Sequence, residues 1–177
     1  MKLSLGILLL SASLAFAAQA KATILPDACG DDKVKFDVNA EKGRSAPAPP
    51  EAGKAQIVFI ENENQMIGPF MYATVRFGMD GVWAGANKGN SYFVVTVDPG
   101  VHHLCASWQS ALPRLKKSID VAKLTAEAGN TYYFAAQVTV IPTGDSNANI
   151  NFGLSQLDED QGQYRVKAWK LAASKPQ

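Results

Sequence analysis

The stretch VRFGMDGVWAGANKGNSYFVVTVDPGVHHLCAS, residues 75–107, decides how this chain is read. Val75, Phe77 and Met79 alternate with other residues, as do Phe93, Val95 and Val97, the period of two that puts apolar side chains on one face of a half-buried strand. Two turn signals punctuate the block. Asp80-Gly81 is a pair that tolerates positive φ, and Asp98-Pro99-Gly100 puts Pro where φ is fixed and Gly where a type II turn needs positive φ. The block predicts a β-meander.

The same alternation recurs on either side of it: Val34, Phe36 and Val38 in KVKFDV; Ile57 and Phe59; Tyr132, Phe134, Ala136, Val138 and Val140; Ile150, Phe152 and Leu154. Each run is rich in β-branched or aromatic residues and bounded by Gly, Pro, Asn or Asp. About seven such strands cannot bury their apolar faces in one open sheet, so the fold class is all-β, mainly antiparallel, with two layers packed as a sandwich. Residues 111–128, ALPRLKKSIDVAKLTAEA, read as a short helix or as a strand over Ser118 to Lys123, with the strand preferred. After Ser155, LDEDQGQYRVKAW runs from acidic to basic, the order a helix dipole favours, and predicts a short C-terminal helix with Ser155 or Asp158 as N-cap. Gly162 weakens that helix. The organisation is a segment 1–20, a leader 21–54 with one strand and a Pro-rich linker, a sandwich domain 55–170 and a flexible tail 171–177.

The series DGVWAG, SYFVVTV, DPGVHHLC, AEAGNTYYF and LDEDQG resembles a family of bacterial secreted proteins and lipoproteins known only as a domain of unknown function. Its hairpin portion, DG followed by PGVH, also resembles the PEGA-type and carboxypeptidase-regulatory-type β-sandwich modules of bacterial envelopes. The resemblance implies an Ig-like or PEGA-like sandwich in the envelope, with no activity to transfer. In the similar modules a histidine or tyrosine at the place of His102 sits in the rim of the core.

The N-terminus carries an address. Lys2 precedes an uncharged run rich in Leu and Ala that closes on Ala18-Gln19-Ala20, the pattern of a secretory signal peptide cleaved after Ala20. Its strongly apolar part falls short of the ~20 residues that span a bilayer, so no transmembrane span is expected after cleavage. The expected location is secreted or periplasmic. The whole chain has 17 basic and 16 acidic residues, for a formal charge of +1. Cleavage removes one basic residue, Lys2, and brings the charge to zero, which excludes the electrostatic footprint of a nucleic-acid binder.

The two cysteines are too few for a complete structural zinc site. In an oxidising compartment Cys29 and Cys105 are expected to form a disulfide that pins the leader to the domain. Pro26-Asp27-Ala28 before Cys29 is unlike the small apolar run that precedes a lipidated cysteine. His102, His103 and Cys105 are metal-ligand types, but neighbours on a strand point to opposite faces, so one face offers at most two of them. Asp158, Glu159 and Asp160 are consecutive and do not converge as the alternate carboxylates of a calcium loop do. No metal or cofactor is expected. Trp83, Trp108 and Tyr92, with Tyr72, Tyr164 and Trp169 nearby in type, suggest a ligand face for a glycan or peptide, or the core and rim of a β fold. Gly-x-Ser-x-Gly, His-Glu-x-x-His and phosphate-cradling signatures are absent from the sequence, and no catalytic residue is assigned. The reading is a non-enzymatic module with an envelope protein or glycan as partner, or else a small-ligand binder that uses exposed aromatic residues.

Overall fold

The computed structural model describes residues 28–41, 47–63, 74–109, 118–144 and 147–177. The segment 1–20 that reads as a signal peptide, Tyr72 and residues 42–46 lie outside them. Among the described residues ten strands and one helix form a β-sandwich. Its larger sheet has the order β1-β10-β5-β2-β8-β9, from Phe36–Glu41, Lys170–Pro176, Ser91–Val97, Ala55–Glu63, Thr131–Gly144 and Asn147–Leu157. Its smaller sheet has the order β4-β3-β6-β7, from Val82–Lys88, Thr74–Met79, Gly100–Gln109 and Ile119–Ala126. All pairings are antiparallel except β2 with β8 and β10 with β5.

The alternation read from the sequence builds the core between the sheets. Ile57 and Phe59 of β2, Phe134 and Ala136 of β8 and Leu154 of β9 face Val75 and Phe77 of β3, Leu104 and Ala106 of β6 and Leu124 of β7. Three phenylalanines join the layers: the Phe59 ring lies 5.0 Å from that of Phe77 and 5.4 Å from that of Phe93, and Phe77 meets Phe93 edge-on at 5.8 Å. Each such side chain contributes roughly 1.5–3 kcal/mol when fully buried.

Two layers do not complete the molecule. Helix α1, Glu159–Ala168, covers the outer face of the larger sheet, where Val58, Ile60, Tyr92, Tyr133, Ala135 and Val166 form a second cluster. Strand β2 is therefore buried on both faces, which explains the unbroken run Ile57-Val58-Phe59-Ile60. Asp158 is the N-cap, its carboxylate accepting from the Gln161 N–H, with Glu159 and Asp160 in the first turn and Arg165 and Lys167 in the last. Gly162 is required, because a Cβ there would run into the ring of Tyr133. What weakens the helix by propensity lets it dock.

Three expectations are corrected. Residues 75–107 do not form a meander: β3 and β4 make a hairpin across Asp80-Gly81, both at positive φ (53° and 88°), but β5 crosses to the other sheet and β6 returns to pair with β3. A turn motif sets the chain reversal and leaves open which layer receives the next strand. Residues 171–177 are not a flexible tail, since Lys170–Pro176 is β10, paired with β1 from Phe36↔Pro176 to Glu41↔Leu171. The leader strand also runs on through Asn39 to Glu41, beyond the alternating run that ends at Val38. The strand preferred within 111–128 is present as β7.

Candidate functional site

Cys29 and Cys105 are bonded, with Cα atoms 5.3 Å apart. The bond is one of several ties holding residues 28–36 against the outer face of the smaller sheet. Trp83 Nε1 donates to the Asp31 carbonyl at 2.8 Å, and Arg76 Nη1 donates to the carbonyls of Asp32 and Val34 at 3.1 and 2.7 Å. Gln109 exchanges two hydrogen bonds with the Phe36 backbone, at 2.7 and 3.0 Å. Arg76 is 6% exposed, its guanidinium also bonded to Ser107 and stacked 4.3 Å over the Trp83 ring. Burial lowers its pKa below the ordinary arginine value, against the attraction of Asp32, and the carbonyl acceptors and aromatic face carry the charge that water would otherwise solvate. Nothing in the local sequence of β3 distinguishes Arg76 from an exposed residue on a half-wet strand.

His102 is a fastening for turns. Its Nδ1 lies 2.7 Å from Asp80 Oδ2 and its Nε2 lies 2.8 Å from the Asp98 carbonyl, so the Asp80-Gly81 and Asp98-Pro99 turns are joined through one ring. Asp80 also accepts from the His103 N–H at 2.8 Å. Two acceptors suit the doubly protonated ring. Burial disfavours that charge, but the hydrogen bonds to Asp80 and Asp98 and the attraction of both carboxylates outweigh it and raise the pKa above the ordinary histidine value. A raised folded-state pKa means stability that is fully present below about pH 6.5, the unfolded value, and lost as pH rises through the folded one. The denaturation midpoint is therefore expected to fall over that window in the wild type, and the His102→Gln variant to lose this part of the dependence. Equal pH profiles for the two proteins in urea titrations refute this account.

Both ring nitrogens of His102 are thus occupied within the protein, and among the described residues no three His, Cys, Asp or Glu side chains converge as a metal site. Cys105 is consumed by the disulfide. Asp158 serves as a helix cap.

The proposed aromatic face is also corrected. Tyr92 is 1% exposed inside the second cluster, on the outer face of the larger sheet, and Trp108 is 4% exposed on β6. Trp83 is half-buried and committed to Arg76 and Asp31. Tyr164 is exposed on α1, and Trp169 lies under the guanidinium of Arg165.

What the structure does open is a cleft of about 660 Å³ at one end of the larger sheet. Its walls are the first turn of α1, the Pro49-Pro50 segment and the strand ends that carry Gln56, Thr131 and Tyr133. Gln56 is 7% exposed, and its Oε1 is buried without a hydrogen-bond donor. An unsatisfied buried acceptor costs about 1–3 kcal/mol. Tyr133, under Gly162, has its hydroxyl pKa raised by burial and then by the charge of Glu159. Glu159 accepts from Gln163 Nε2 at 2.9 Å. Gln56 carries no distinguishing mark in the sequence, since it lies off the alternating pair Ile57 and Phe59. The four-residue apolar run that follows it was the available sign that a further layer covers this face.

No protein-family model matches the sequence, and neither a curated protein nor a solved structure resembles the chain closely enough to count as a match.

Proposed function

We propose that this chain is a non-enzymatic β-sandwich of an extracytoplasmic compartment, secreted or periplasmic, acting as an interaction or structural module of the bacterial cell envelope. The observation that carries this reading is the Cys29–Cys105 bond, which ties the leader to the domain a short distance after the signal-like segment. Such bonds persist where the surroundings are oxidising and are rare in reducing cytosol. The signal pattern ending at Ala20 and the resemblance of the DGVWAG to LDEDQG series to secreted proteins favour the same compartment. His102, one of the two histidines in the HHLC segment, spends both ring nitrogens on joining two turns, which favours a structural role for that residue.

Expression of the full chain in a bacterium, with fractionation and N-terminal sequencing, tests the location: a product beginning at Lys21 in the periplasm or medium is expected. A full-length product retained in the cytoplasm with free thiols overturns it. Chemical cross-linking in intact cells tests the role, and an adduct with an envelope protein or with peptidoglycan is expected. Recovery of the uncross-linked protein alone removes the module reading.

A further inference from the structure

We propose that the cleft at the end of the larger sheet binds a small neutral polyhydroxylated molecule, a sugar of one or two rings. Its volume, about 660 Å³, lies within the range of small-ligand pockets. The chemistry of the ligand follows from what its walls lack. Gln56 lines the cleft and its Oε1 has neither a hydrogen-bond partner within the protein nor surface open to water, so turning the side chain toward an entering ligand would give that acceptor its donor. The ligand must therefore bring O–H or N–H groups.

Three further observations narrow it. Amide side chains recur in the polar lining, with Asn130, Gln156 and Gln163 beside Gln56. An amide sets an acceptor next to donors, and adjacent hydroxyls that each donate and accept are its natural complement. Pro49 and Pro50 supply the open apolar wall against which the C–H face of a sugar ring can lie, with Tyr133 and Val166 buried behind it. The charges at the mouth select against ions. Asp158 and Glu159 stand at the helix N-terminus, where Asp158 already takes the Gln161 N–H, so an anion would meet two carboxylates in place of open donors. Lys167 lines the same cleft and offsets the attraction a cation would feel. This inference is independent of the compartment proposed above and uses none of Trp83, Trp108 or Tyr92.

The test is titration of the purified, disulfide-intact protein with glucose, N-acetylglucosamine and their β-1,4-linked dimers. Binding is followed by calorimetry and by amide and side-chain NMR shifts, with inorganic phosphate and putrescine as charged probes. Saturable binding of at least one sugar is expected, with the shifts confined to Gln56, Asn130, Tyr133 and Gln163. The decisive variant is Gln56→Leu, expected to weaken sugar binding at least about tenfold while raising the melting temperature, because it removes the orphaned acceptor. A glutamine that is merely structural gives the opposite result, a lower melting temperature with unchanged binding. Gln163→Ala, on the exposed side of the helix, is expected to melt like the wild type and to bind several-fold more weakly. The proposal is overturned if no sugar binds saturably, if phosphate or putrescine binds more tightly than every sugar, or if neither variant alters affinity.

Discussion

Replacing Phe59 by alanine is expected to destabilise the domain by about 3–5 kcal/mol, the range for deleting a fully buried phenylalanine. A domain of this size has only about 5–15 kcal/mol in total, so the variant is expected to be partly unfolded at moderate temperature. The position explains the size of the effect. Phe59 has no exposed surface, sits opposite Phe93 and Phe134 on the neighbouring strands, and meets Phe77 of the other sheet. Its removal opens a void that β2, held on both sides by pairing and on both faces by packing, cannot close. Urea denaturation followed by far-ultraviolet circular dichroism measures the loss. The Phe59→Ala and Phe77→Ala pair should also couple, since the rings touch across the layers. A loss below about 1 kcal/mol would mean that the central phenylalanines do not bind the sheets together.

The second large effect concerns the disulfide. Replacing both cysteines by serine is expected to lower stability by about 4 kcal/mol on the chain-entropy account, because the bond closes a loop between positions 76 apart. The loss has a spatial signature. Residues 31–36 should lose amide protection first, since their remaining ties are hydrogen bonds from Trp83, Arg76, Gln109 and the Gln177 N–H, and the pairing of Phe36 with Pro176 at the end of β1. Arg76 then regains water, which softens the penalty of its burial. Denaturant midpoints of the oxidised wild type and the Cys29→Ser/Cys105→Ser variant, with hydrogen exchange on both, measure the two parts. Retained protection at 31–36 together with an unchanged midpoint would show that the polar ties suffice without the bond.

The strands were legible because strand periodicity is a local property of the chain. Phe36, Phe59, Phe77, Phe134 and Leu154 fall on inward positions wherever the strand lies, so alternation gave the elements and the sandwich class. It could not give the layer. Phe93 and Leu104 obey the same pattern, yet one belongs to each sheet, and only long-range packing decides that. The last seven residues illustrate a related limit. Their sequence is short and polar, and they become a strand because β1 offers its edge, a partner more than a hundred positions away. Gln56, Tyr133 and Gln163 were illegible as a group for the same reason, since their common cleft exists only once α1 folds back over β2 and β8. Cys29 and Cys105 were readable as a pair because there was no other choice of partner.

The Cys29–Cys105 bond also determines how the folded chain would carry tension. A pull between the N-terminal side of Cys29 and the C-terminus passes through the sulfurs directly into β6, and residues 30–104 are left out of the load path. Stretched to its limit, the oxidised chain between Cys29 and Gln177 could lengthen to only about 250 Å, against about 520 Å once the bond is reduced. β1, β2, β3, β4 and β5 would lie within a closed covalent ring that force cannot straighten. In a protein held between two attachments, the strands that carry Phe59, Phe77 and Phe93 would stay slack while β7 to β10 yield.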